Sequence, residues 1–277
     1  MRNLVYCAAL FVGCSVGEVE TWETGNLAKA LVSKPERAPS IRLTPRDYLL
    51  FALLLEQGFL TLEAAYLALF DSRKSPIDPF PRHLEVTRQR LRLLEKWKLI
   101  SNYPAPMQSK GVYLLSRKGY QALCQKLPDR AFAPPPRVVD LGTFEHDKAI
   151  TFIRIALEKS GKAFGWYPEH RIRFEGFTER RKSLPKGLIP DGLFLNSKGE
   201  RIALEVEPAR KARARYERKM RDYHYVMRDG LIQKVLYVTR RTDIAKEILD
   251  ASRGNENILI EHYDHFLSRL LPPGVAL

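Results

Sequence analysis

The second half of the chain is decided by Ile189-Pro190-Asp191-Gly192-Leu193-Phe194-Leu195, a polar turn over 196–200, then Arg201-Ile202-Ala203-Leu204-Glu205-Val206-Glu207. Two apolar runs around a turn read as a β-hairpin. Symmetry about Lys198 sets Asp191 opposite Glu205, and the two-residue period of a strand puts Glu207 on the face of Glu205. Three carboxylates then meet with little opposite charge inside the strands. Like charges facing each other destabilise a sheet, so the grouping asks for a cation. Oxygen donors alone favour a hard divalent ion, magnesium (Mg2+) or manganese (Mn2+). Such an ion orients a water, lowers its pKa and neutralises charge building on a phosphate. The plainer alternative leaves Glu205 and Glu207 on a solvent face, as half-buried strands alternate polar and apolar residues.

Around this hairpin the elements alternate. A helix is expected over 143–160, strands over 164–174, 188–195 and 201–207, a long helix over 208–227 and a strand over 233–239. A helix over 243–251, a strand over 258–261 and a helix over 262–271 complete an α/β (α+β) pattern, a mixed sheet flanked by helices. In the long helix, Ala212, Tyr216, Lys219, Tyr223 and Val226 form the stripe expected to pack on the sheet. Lys219 is thereby a candidate partner of the acids; alternatively its stem snorkels and carries the ammonium to the surface. Arg210, Arg213, Arg218 and Arg221 point elsewhere and suit a DNA backbone. Tyr223-His224-Tyr225 holds potential tyrosine nucleophiles, against which stands simple core packing. Glu145, His146, Glu169 and His170 are outer candidates, with capping and surface polarity as the alternative.

Toward the N-terminus, Pro134-Pro135-Pro136 within 128–139 reads as a semi-rigid spacer. Ahead of it, Thr44-Pro45-Arg46-Asp47 starts a helix well: an N-cap, Pro at the first position and an acid at the third. That helix ends at Gly58; Thr61 caps another through Phe70, and a third runs over 82–98. On its wheel Leu84, Val86, Thr87, Leu91, Leu93, Leu94 and Trp97 fill one half, and Arg82, Glu85, Arg88, Gln89, Arg92, Glu95 and Lys96 the other. Short strands over 99–103 and 111–115, around a turn with Lys110, precede a helix capped by Ser116. Three helices and a hairpin follow the order of a winged helix-turn-helix, whose third helix enters the major groove while the hairpin tip meets phosphate. Arg82, Arg88, Gln89, Arg92, Lys96 and Lys110 are the candidate DNA contacts; a solvated charged face is the bland alternative.

The composition agrees with a polyanionic partner. Among 277 residues, 46 are Lys or Arg and 32 Asp or Glu, a net charge of +14. Cys7, Cys14 and Cys124 are too scattered for a disulfide framework or a zinc site, and fit a reducing cytoplasm. The apolar run over 4–16 is too short to span a membrane and follows a single Arg2, so a packed strand or helix, or non-native residues upstream of a later true start, is expected there rather than an export signal. Residues 17–40 read as a tether. The expected organisation is therefore an extension over 1–40, a winged helix over 41–127, a linker over 128–139 and a nuclease-like domain over 140–277. No phosphate-cradling Gly-rich loop appears.

Pro190-Asp191 followed by Glu205-Val206-Glu207 resembles the PD-(D/E)XK nuclease superfamily, with Glu207 where lysine is usual. Some restriction endonucleases of that superfamily carry Glu there; Lys219 is the candidate replacement. A winged helix before this core is similar to the replication-relaxation family and its conjugative relatives, the MobC-type plasmid relaxases. The resemblance covers about residues 44–271, including Tyr113-Leu114-Leu115-Ser116-Arg117-Lys118-Gly119 and Glu145-His146-Asp147. It implies a cytoplasmic protein that binds double-stranded DNA at an origin of transfer and nicks one strand with Mg2+ or Mn2+. Asp191, Glu205 and Glu207 would hold the ion and Lys219 would assist the water, with a second copy or other relaxosome proteins as partners. Two rivals remain open: a regulator or relaxosome accessory protein with an inert nuclease fold, and a transposition endonuclease subunit.

Overall fold

A capping box opens the first helix: Thr44 N–H donates to Asp47 Oδ2 at 2.6 Å, and Asp47 N–H reaches back to Thr44 Oγ1 at 3.4 Å. The computed structural model describes residues 41–70, 80–104, 111–128, 134–179 and 182–271. The expectations for 1–40 and for Lys110 lie outside them. Two compact units, each taken by itself, cover residues 41–155 and 156–271 of the described chain.

The first unit runs α1 (Pro45–Gln57), β1 (Leu60–Thr61), α2 (Leu62–Leu69), α3 (Phe80–Lys96), β2 (Ile100–Tyr103), β3 (Val112–Leu115), α4 (Arg117–Lys126) and the start of α5 (Phe144–Lys159). Its three-stranded antiparallel sheet has the order β1-β3-β2. The two-residue β1 was not foreseen; Leu60 and Thr61 pair with Tyr113 and Val112. Asp47, nearly fully buried, is gripped by Arg90 through Nε at 2.8 Å and Nη2 at 2.5 Å, which ties the start of α1 to α3. Gly119 is where α4 crosses the strand entry: a Cβ there would stand 2.1 Å from the Leu99 carbonyl oxygen. The segment after the prolines does not hang free. Val139 and Phe144 are buried with Phe59, Val112 and Leu114, and Phe144 stacks on Phe59 at 4.9 Å.

The second unit runs from the end of α5 through β4 (Phe164–Pro168), α6 (Glu169–Glu175), the small hairpin β5 (Thr178–Glu179) and β6 (Lys182–Ser183), and β7 (Gly192–Leu195). It continues with β8 (Arg201–Val206), α7 (Arg213–Arg228), β9 (Lys234–Thr239), α8 (Thr242–Ser252), β10 (Ile258–His262) and α9 (Tyr263–Ser268). Its mixed sheet has the order β10-β9-β8-β7-β4. β4, β7 and β8 pair antiparallel; β8, β9 and β10 pair parallel through the α7 and α8 crossovers. Helices and several sheets make the chain α+β.

The single strand expected over 164–174 is corrected: it breaks at Pro168, and 169–175 are helical. Pro168 serves as N-cap, and ion pairs four residues apart, Glu169–Arg173 and Arg171–Glu175, support the short helix. The helix expected from Pro208 starts instead at Arg213, with Ala212 as an exposed N-cap outside the buried stripe. The rest of that stripe packs as expected, since Tyr216, Met220, Tyr223 and Val226 are buried against Ala203, Val235 and Tyr237 of the sheet.

Candidate functional site

Residues of β8 alternate faces, and Ala203 belongs to the core under α7. Glu205 therefore faces α7 as well. Gly192 pairs with Leu204, so the next step of the register sets Asp191 level with Glu205. Asp191 is bound to β8 at two points: its N–H donates to Leu204 O at 3.0 Å, and its Oδ2 accepts from Val206 N–H at 2.6 Å. Beside Asp191 the chain needs Gly192 to admit the indole of Trp166 from β4, because a Cβ there would lie 2.6 Å from Trp166 Cζ2.

Glu205 is 2% exposed. Lys219 donates to its Oε2 and Tyr223 to its Oε1, both from α7. Burial, with a smaller push from Asp191, raises the Glu205 carboxyl to about 7 against the pull of Lys219. Burial lowers Lys219, but the Glu205 charge and hydrogen bond outweigh it and the net shift is upward. Tyr223 is raised far above the ordinary tyrosine range, first by burial and then by Glu205. Glu205 can thus gain or lose a proton near neutrality while its lysine stays charged.

Glu207 follows β8, equally buried, with Lys211 Nζ 2.6 Å from its Oε1 as an ion pair without hydrogen-bond alignment. On the neighbouring β9, Tyr237 pairs with Glu205 in register. Its hydroxyl is buried without a hydrogen-bond partner among the described residues. Burial raises Tyr237 strongly, and Glu205, Glu207 and Asp191 each add to that rise. Among the described residues no group of three His, Cys, Asp or Glu is arranged to hold a metal ion. The positive charge beside these carboxylates is supplied by Lys219 and Lys211. Neither Tyr237 nor Lys211 was anticipated; the β9 register and the irregular segment 208–212, which brings them in, leave no local pattern.

Glu145 is paired with Lys148, and His146 Nδ1 stands 3.1 Å from Asp147 Oδ1. Glu169 is taken by Arg173. Of the arginines assigned to α7 and its approach, Arg210 is paired with Glu247 and Arg213 with Glu217, whereas Arg218 and Arg221 are exposed.

In the first unit, α3 buries Leu84, Thr87, Leu91 and Leu94 and exposes Arg82, Gln89, Arg92 and Lys96. Arg88 is half-buried and pairs with Glu85. The helical wheel is corrected at two positions: Val86 is 46% and Leu93 38% exposed. At about 100° per residue they fall on the side of Gln89, because the buried arc is narrower than half the helix. The exposed face is thus basic with two apolar side chains set into it.

A family model described as replication-relaxation matches residues 51–239. No curated protein and no solved structure matches the chain. Among the described residues no helix is long and apolar enough to cross a membrane.

Proposed function

The chain belongs to the replication-relaxation family, and from that premise we propose that it is a factor of plasmid replication or mobilisation that grips duplex DNA through α3. One observation carries this reading: α3 is packed by Leu84, Thr87, Leu91 and Leu94 while Arg82, Gln89, Arg92 and Lys96 stand exposed along its length. The order α1-β1-α2-α3-β2-β3 with its antiparallel sheet supports a winged helix-turn-helix, in which α3 is the reading helix. Arg92 and Gln89 carry the donors that base edges accept, and Arg82 and Lys96 suit phosphates. The net charge of +14 supplies long-range attraction. In a mobility-shift assay on origin-region duplex, Arg92→Ala and Gln89→Ala should each weaken binding by about 1–3 kcal/mol. Arg88→Ala should weaken it less, because Glu85 already engages that guanidinium. Unchanged binding in all three variants would remove α3 from the interface.

A second reading, strand nicking by the second unit, is favoured by Asp191 lying level with Glu205 on paired strands with Lys219 on Glu205. Such a grouping of two acids and a lysine supports a PD-(D/E)XK-type reaction centre. The donors of Asp191, Glu205 and Glu207 are of the kind Mg2+ or Mn2+ takes. Their arrangement does not fit one: Lys219 and Tyr223 hold both oxygens of Glu205, and Lys211 lies on Glu207. Lys219 and Glu205 are the groups of this site that can hold and move a proton. Supercoiled plasmid carrying the cognate origin, with Mg2+ or Mn2+, tests this reading. Nicking lost in Asp191→Ala supports it, and binding without nicking leaves a regulator that keeps an inert fold.

A further inference from the structure

α7 has a second face that the acidic site does not use. Tyr216, Met220, Tyr223 and Val226 turn inward and are buried. At about 100° per residue the opposite side is Ala214, Arg218, Arg221, Tyr225 and Arg228, and every one of these is exposed. Two acids border this stripe: Glu217, which is paired with Arg213, and Asp222, one turn beyond Arg218 but in no ion pair with it among the described residues. Arg218 and Arg221 have no ion pair among the described residues. Tyr225 leaves 50% of its surface open, and the Arg228 guanidinium sits 5.4 Å from its ring centroid.

We propose that this outer face of α7 is a binding site for an unpaired nucleic-acid strand. Arginines alone would suit any polyanion, and the exposed ring narrows the partner. A π-face fixed among guanidinium groups stacks a nucleobase, which only an unpaired strand can present, since duplex bases already stack on one another. From Arg218 to Arg228 the helix rises about 15 Å, the reach of a few nucleotides along which Arg218 and Arg221 meet phosphates. The site is independent of α3 and of the acids around Glu205.

The test uses the full chain and a fluorescein-labelled oligo(dT) in fluorescence anisotropy, with a blunt duplex of equal length as comparison. Tyr225→Ala should weaken oligo(dT) binding about tenfold, with Tyr225→Trp restoring it, and Arg218→Glu with Arg221→Glu should weaken it more and flatten its salt dependence. Arg92→Ala on α3 should leave oligo(dT) binding unchanged, which separates this site from the duplex contact. All these positions are exposed, so unaltered circular dichroism and melting are expected. Oligo(dT) affinity unmoved by Tyr225→Ala overturns the proposal, as does an equal loss on duplex. So does loss of binding to phosphatidylserine vesicles with oligo(dT) binding intact, which would mark a membrane surface instead.

Discussion

Lys219 donates its ammonium to Oε2 of Glu205, joining the inner face of α7 to the strand before it. Tyr223, one turn further along α7, takes the other oxygen. Glu207, two residues on from Glu205, is paired with Lys211, whereas Glu205 itself is thus held by a lysine of the following helix. Whatever the second unit does, the charge state of Glu205 is governed by this pair.

Removing that lysine should cost stability. A buried carboxylate stripped of its partner costs about 3–5 kcal/mol, and Lys219, itself a quarter exposed, belongs near or below the low end, about 2–3 kcal/mol. Urea unfolding of Lys219→Met should show this loss, and Glu205→Leu added to it should recover most of it. A change within about 0.5 kcal/mol would mean that water already screens the pair.

The pH dependence has a definite sign. In the fold Glu205 keeps its proton up to about pH 7, against an ordinary value of 4.5 in the unfolded chain. Between those values the native state binds more protons, so its stability falls as pH rises through that window. Lys219, shifted upward, stays charged throughout. The melting temperature of the wild type relative to Glu205→Gln should therefore fall from pH 4.5 to pH 7. A difference that stays flat across the window, or climbs, would contradict this environment for Glu205.

In the first unit, Arg90→Ala should lower stability by about 2 kcal/mol, because it leaves the buried Asp47 with its capping contacts alone. Arg90→Lys should recover only part of this, since an ammonium cannot repeat the two-point fork. Denaturant midpoints report both. If alanine and lysine behave alike, the fork is not what holds α1 to α3.

Gly192→Ala should destabilise by about 1–3 kcal/mol through overpacking, since the new Cβ would lie 2.6 Å from Trp166 Cζ2. Shrinking the neighbour with Trp166→Phe should recover part of that loss in a double-mutant cycle. Additive losses would show that the backbone absorbs the clash elsewhere.

Much of the site was legible because it is written in short-range patterns. The hairpin register about Lys198 follows from two apolar runs and a polar turn, and Gly192 does pair with Leu204. The stripe that carries Lys219 inward follows from helical spacing. The break at Pro168 and the two-residue β1 were not legible: one depends on a short helix held by ion pairs, the other on a partner strand some fifty residues away. Val86 and Leu93 misled because hydrophobicity predicts a buried side only as wide as the neighbours that cover it.

Residue order alone determined the family, the alternation of elements, and the two lines of charge, carboxylates on strands and arginines on helices. These depend on contacts within a few residues, where backbone period and side-chain type suffice. Tertiary structure alone decided that Tyr237 and Lys211 join the acids, that the cation on Glu205 is Lys219, and that Tyr225 remains open. Those outcomes turn on which surfaces shut out water, and burial is a property of the packed chain rather than of any stretch of it.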